Sequence, residues 1–200
     1  TSPTILVAGA GVPATSVKDL IALAKARPGG LRYASSGQGT TNHLAAELLR
    51  VTANIPLTHI PYKGAAATLL AVISGEVDIS FVPLLPAIPH VKSGKLAGIA
   101  VTGAQRAQSL PNVPAIAETL PGYDVTSWYG LLVPGGTPAL LIQKLNAETN
   151  RVLELAEVRD RLSAQGVEVQ GSTPGALMEF MRVDAARWAK LVKDAGIVLE

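Results

Sequence analysis

Two hundred residues, 48% of them hydrophobic and 16% charged, provide enough apolar surface for one large or two small cores and argue against a disordered chain. The 17 basic and 15 acidic residues leave a net charge of +2 with no basic run, which is weak ground for a nucleic-acid partner. Zero cysteines remove disulfides, thiolate metal sites and a cysteine nucleophile, and no apolar run reaches the roughly 18 residues needed to span a bilayer.

In chain order, Thr4 to Ala8 reads as a short apolar strand, followed by a loop with Gly11 and Pro13. Ser16 and Asp19 then make a capping-box-like start to a helix that runs to about Arg27 and is stopped by Pro28-Gly29-Gly30. Leu31 to Ala34 is a second strand. It enters a small, hydroxylated turn, Ser35 to Thr41, and then a helix with Leu44, Leu48 and Val51 on one face. Pro56 to Ile60 is a third strand, Pro61 to Gly64 a turn, and Ala65 to Ser74 an apolar helix ended by Gly75. Val77 to Val82 is a fourth strand, Pro83 to Pro89 a proline-punctuated loop or short helix, and Leu96 to Val101 a fifth strand.

Residues 103–124 lack periodicity and carry Pro111, Pro114 and Pro121, so they read as an irregular return with at most a short helix near Ala115 to Thr119. Val125 to Val133 reads as a strand. Thr137-Pro138 opens a helix with Leu141, Leu145, Val152 and Ala156 on one side, continued after a bend by Asp160 to Gln165. Val167 to Val169 reads as a short strand, and Thr173-Pro174 opens a last helix with Leu177, Met181, Trp188 and Leu191 inward.

Alternating strands and helices imply an α/β fold with a parallel sheet and right-handed crossovers, which gathers the loops after the strands on one edge. Ligands of such sheets bind at that edge. It collects Ser35 to Thr41, Pro61 to Gly64, Phe81 to Pro86 and Thr102 to Arg106.

The turn at Ser35 to Thr41 carries the most chemistry. Gly37 and Gly39 permit close backbone approach, and Thr40 is placed as the N-cap of a helix whose free N–H groups and dipole suit an anion. Nucleotide motifs do not fit: Asn42 stands where the dinucleotide fingerprint needs a third glycine, and the phosphate-loop lysine is missing. His43, His59 and His90 have no metal-ligand spacing, so no metal and no cofactor is expected. His43 is placed to bond the turn or a ligand, and His59 reads as a satisfied strand residue. No Gly-x-Ser-x-Gly elbow is present, and neither Glu47 nor Asp78 is placed as a general base, so catalysis has no apparatus. Lys63 reads as a solvated turn lysine. Trp128 and Tyr129 either wall a cleft or pack in a core.

The runs Tyr33 to Leu48, His59 to Gly64, Ser74 to Phe81, Pro89 to Leu96, Leu110 to Glu118 and Pro121 to Pro134, taken together and in order, strongly resemble the Bug family of solute-binding proteins of tripartite tricarboxylate transporters. The resemblance implies a periplasmic-binding-protein-like (type II) fold of two α/β lobes. It also implies a periplasmic receptor that captures a small organic carboxylate and delivers it to membrane transporter subunits. Two readings from other classes remain beside it, the effector-sensing domain of a transcriptional regulator and a small-molecule enzyme.

On the family's pattern, ligand contacts fall on Ser35, Ser36, Gly37, Gly39, Thr40 and Thr41, and on Phe81, Val82 and Pro83 of a second loop. Many members carry an acid where Val82 stands, so this chain leans toward a carboxylate without an amino group. The resemblance also implies that residues 11–124 are a complete second lobe, while 1–10 and 125–200 are crossover strands and C-terminal helices of an incomplete first lobe. Such helices would either pack on the second lobe or pair with another copy of the chain.

Overall fold

The computed structural model describes residues 1–107 and 109–197. Five main strands form one twisted sheet: β1 (Ser2–Gly9), β2 (Leu31–Ser35), β3 (Leu57–Pro61), β4 (Ile79–Pro83) and β5 (Leu96–Val101), in the order β3-β2-β4-β1-β5. A two-residue strand, β6 (Thr126–Ser127), pairs with the start of β1. The helices between them are α1 (Val17–Ala26), α2 (Thr41–Ala53), α3 (Ala65–Ile73) and α4 (Leu84–Lys92). Three more follow: α5 (Ala139–Leu153), α6 (Ala156–Ser163) and α7 (Pro174–Ala195).

The strand pattern explains the layering. Along β1, Leu6 and Ala8 join one apolar cluster while Ile5 and Val7 join the other, the period of two that places alternate side chains on opposite faces. The first cluster packs α1 and α2 on one face through Leu20, Ala24, Ala46 and Leu49. The second packs α3 and α4 on the other through Ala71, Val72, Leu84 and Ala87. Ser16 caps α1 by accepting the Asp19 amide at 3.1 Å, as its spacing predicts.

The sheet is mixed rather than parallel. β2 runs parallel to β3 and β4, but β1 is antiparallel to both β4 and β5. Element order alone leaves this direction open, because β1 and β2 are not neighbours and the crossover rule constrains only parallel strands of a βαβ unit. Residues 2–9 are accordingly an interior strand, between β4 and β5, of the same sheet as residues 31–101. The ligand edge survives, since the ends of β2, β3, β4 and β5 still share it.

The C-terminal part departs more. Of Val125 to Val133 only Thr126 and Ser127 form a strand, and Leu131 and Leu132 are 78% and 65% exposed. Residues 167–169 are coil, although Glu168 exchanges two backbone hydrogen bonds of 2.7 Å with Thr1. α5 and α6 bury none of their residues, and α7 buries only Leu191. The apolar side expected on α5 exists, but no described element covers it. Of the three C-terminal helices, α7 docks on α2 of the sheet domain. Trp188 packs against the first cluster, and Arg50 of α2 donates to the Ala195 carbonyl at 3.0 Å. The accessible surface is 11211 Å², against about 8,900 Å² for a compact monomer of this mass.

A buried knot ties these parts together. Thr102, fully buried at the end of β5, accepts from the Thr4 amide (3.2 Å) and the Thr4 hydroxyl (2.8 Å) and donates to the Val125 carbonyl (2.6 Å).

Candidate carboxylate-binding edge

β2 delivers the chain to the turn with Ser35 fully buried, and α2 leaves it with Thr40 as N-cap. Gly37 and Gly39 take φ values of +126° and +73°, a backbone region in which a side chain would be strained, so the two glycines are required for the turn's shape. The turn uses much of its own polar capacity. Gly37 N–H donates to Ser35 Oγ, Gly39 N–H donates to His43 Nδ1 at 3.1 Å, and the Thr40 hydroxyl lies 2.6 Å from both the Gly37 carbonyl and Asn42 Oδ1. Asn42 in turn donates to Ser36 Oγ at 2.9 Å.

This changes which atoms face a ligand. The Gly37 and Gly39 amides, expected as anion donors, are occupied within the turn. Thr40 makes no side-chain cap on α2, so the N–H groups of Thr41, Asn42 and His43 have no intrahelical acceptor and no capping hydroxyl. The positive end of α2 is thus the anion-seeking feature, and the turn is the frame that holds it.

Under the turn stand three stacked rings. His43 lies on His59 with ring centroids 4.3 Å apart, and His59 lies on Tyr33 at 4.9 Å. His59 Nε2 meets Ser35 Oγ at 2.6 Å. The Tyr33 hydroxyl donates to Glu47 at 2.8 Å, and Glu47 also holds Arg50 at 2.7 Å. Burial lowers the pKa of both histidines. His59 falls to about 4, with the neighbouring His43 adding to the effect, while Glu47 partly opposes it for both. Both rings are therefore neutral at pH 7. Burial first, and then Glu47, raises the Tyr33 pKa, so its phenol keeps its proton. Glu47 is committed to this ladder, and Asp78 is committed at the far edge to Arg27 at 2.8 Å and the Arg32 amide at 2.7 Å. Neither acid faces a substrate.

The second loop is differently placed. Phe81 is 0% exposed and Val82 1% exposed, one in each apolar cluster, and only Pro83 is exposed. A side chain sealed in the core cannot choose a ligand by touching it, so the inference from Val82 to a ligand without an amino group loses its geometric basis. Burial of these side chains follows from β4 being the middle strand of the five.

Two hollows adjoin the edge. The smaller, about 310 Å³, is bounded by Thr41 and Leu44 at the start of α2 and by Trp128, Tyr129, Asp184 and Trp188. Trp128 therefore walls a cleft. It donates to Asp184 at 3.0 Å and packs edge-on against Phe180 at 5.5 Å. Thr41, from the ligand set, opens onto this cleft. The larger hollow, about 760 Å³, lies between the loop after β5 and the C-terminal helices, away from the turn. Its arginines, Arg106, Arg159 and Arg187, are offset by Asp124, Glu168 and Asp184, so it is not a one-sign anion trap. Among the described residues, no group of three or more histidines and acids could hold a metal ion.

Residues 1–197 match a family described as the tripartite tricarboxylate transporter family receptor. The chain belongs to that family. It is 34% identical over 194 residues to a protein from the tcbD–tcbE intergenic region of a Pseudomonas species, covering 96% of this chain and 58% of that protein. It is 30% identical to BugT of Bordetella pertussis, covering 99% and 61%. Among solved structures, R. palustris Rpa4515 with adipate superposes with a TM-score of 0.85 at 34% identity, covering 98% of this chain and 66% of that one. MatC of Rhodopseudomonas palustris with bound malate gives 0.76 at 28%, covering 96% and 66%. The chain thus spans about three fifths of the length of the curated relatives it matches. The family is one of periplasmic solute-binding receptors, not of enzymes, and the α/β fold is shared with them.

Proposed function

We propose that the chain is the carboxylate-grasping part of a periplasmic receptor that captures a small organic acid and hands it to the membrane subunits of a tripartite tricarboxylate transporter. In this reading residues 11–124, together with β1, act as the second lobe, and residues 125–197 belong with a first lobe. The observation that carries it is the uncapped N-terminus of α2, framed by the Ser35 to Thr41 turn, in a family whose solved members include adipate and malate complexes. Free N–H groups and a helix dipole suit a carboxylate and require no charged side chain.

Across the smaller cleft from Thr41 and Leu44 stand Trp128, Tyr129, Asp184 and Trp188. The Asp184 carboxylate opposes an anion there, so these 200 residues are expected to bind carboxylates weakly. The test is ¹⁵N NMR with malate or adipate raised to tens of millimolar, a range set by weak affinity. Shifts concentrated at the Thr41, Asn42 and His43 amides are expected. Shifts absent there, or spread evenly over the chain, refute the assignment.

A further inference from the structure

The turn is gripped at both ends by ring nitrogens. Ser35, its first residue, meets His59 Nε2 at 2.6 Å, and Gly39, its second glycine, gives its N–H to His43 Nδ1 at 3.1 Å. The two imidazoles stack on each other at 27° between planes, and Tyr33 closes the column from below. His43 is 4% exposed. Ring packing alone needs no hydrogen bond to the turn, yet this bond runs to the residue whose backbone sets the direction of Thr40 and the first turn of α2.

We propose that His43 is the positioning residue of the carboxylate site: its unprotonated Nδ1 accepts the Gly39 amide and fixes the turn that aims the free N–H groups of α2, with the His59 ring braced behind it. The proposal rests on the carboxylate reading of this edge. It requires the His43 proton to sit on Nε2, because a proton on Nδ1 would point one donor at another. The titratable groups facing the pair are Tyr33 from β2 and Glu47 from α2, with Arg50 paired to Glu47. Burial of the rings keeps both neutral near pH 7, so the grip holds there and fails only in acid.

Asparagine and leucine at position 43 separate positioning from packing. His43→Asn places an amide oxygen near the lost Nδ1 but leaves a smaller side chain, whereas His43→Leu fills the core better and offers no acceptor. With malate as probe and ¹⁵N NMR as readout, the expected order is His43→Asn within about threefold of the parent and His43→Leu about tenfold weaker, the worth of roughly one hydrogen bond. If the ring only packs, the leucine variant binds malate as well as the asparagine variant or better, and the proposal falls.

The parent provides a second measurement. The Nε2–H tautomer at pH 7, with a Gly39 amide resonance that moves at a midpoint below 6.5, supports the assignment. An Nδ1–H tautomer overturns it. Should malate fail to perturb the parent at all, the carboxylate reading is refuted. The positioning claim is then decided by the Gly39 resonance, which is retained in His43→Asn and displaced in His43→Leu if the claim is right, and unchanged in both if it is wrong.

Discussion

Thr102→Val changes almost no volume and removes one hydroxyl from the knot that joins β1, β5 and the C-terminal segment. Four groups lie within hydrogen-bond reach of it: the Thr4 amide, hydroxyl and carbonyl and the Val125 carbonyl. Thr102 is 0% and Thr4 7% exposed, so water cannot replace the missing group without opening the junction. An unsatisfied buried polar group costs about 1–3 kcal/mol, but the Thr4 hydroxyl can turn and the Val125 oxygen retains lone pairs, so the sum is nearer 2–4 kcal/mol. For a chain of this length that corresponds to a fall of roughly 5–15 °C in Tm.

Thr102→Ser keeps the hydroxyl and loses one methyl, about 1 kcal/mol. Thr4→Val combined with Thr102→Val should cost clearly less than the two single changes added, because they remove opposite ends of one contact. Urea unfolding followed by circular dichroism and by tryptophan emission reads both stability and order of events. Trp128 and Trp188 are the only tryptophans, and both lie in the C-terminal part. In Thr102→Val the tryptophan transition should precede the dichroism transition. A valine variant within about 0.5 kcal/mol of the parent, with coincident transitions, would show that the knot does not hold the junction.

Gly30→Ala should be far worse than Gly29→Ala, although both glycines have positive φ. A Cβ at Gly30 would lie 2.1 Å from the Pro56 carbonyl oxygen, whereas one at Gly29 meets nothing within 4 Å. A difference in Tm below about 2 °C between them would refute the clash. The His59 pKa is about 4 in the fold against 6.5 for an exposed histidine, so between those limits the unfolded chain binds the extra proton and stability falls as pH falls. His59→Gln should flatten the decline of the urea midpoint from pH 6.5 to 4, and an unchanged slope rejects the buried neutral ring. Glu118 is held to about 2 by Arg106 and the Ala115 amide, so its carboxyl should stay ionised well below 4.5 and lose its pairing only as pH falls through about 2. A ¹³C titration midpoint near 4.5 would contradict that geometry. The excess surface and the exposed Leu131, Leu132, Leu140 and Leu145 predict concentration-dependent self-association of these 200 residues in sedimentation runs. A strict monomer up to high concentration would count against it.

The sequence discloses what is local. An apolar alternation ending at Ala34, two glycines, a threonine and a helical face from Leu44 are enough to place the strand, the turn and α2, because each signal lies within a few residues of what it shapes. His43 was also legible as a residue placed to bond the turn. What depends on distant partners was not legible. The direction of β1 is settled by Phe81 and Ala100 on either side of Leu6, and nothing in residues 2–9 encodes it. The apolar side of α5 was readable, but whether a neighbour covers Leu141 and Leu145 is a property of that neighbour. The Gly39 amide could be named a ligand donor only by ignoring that a histidine four residues on takes it first.

The position of β1 between β4 and β5 has a consequence for how the chain is made. Its first partner residue in β4, Ile79, is about seventy residues downstream of Gly9, and at ~5–20 residues per second that is a delay of several seconds in synthesis. Through that interval an apolar strand with two bare edges waits while α1, β2, α2, β3 and α3 emerge, and β2 and β3 already have each other to pair with. The sheet is therefore closed by insertion of its oldest strand into a gap opened by its youngest. An added charge at Leu6 or Val7 should therefore delay folding more than the same charge on β3.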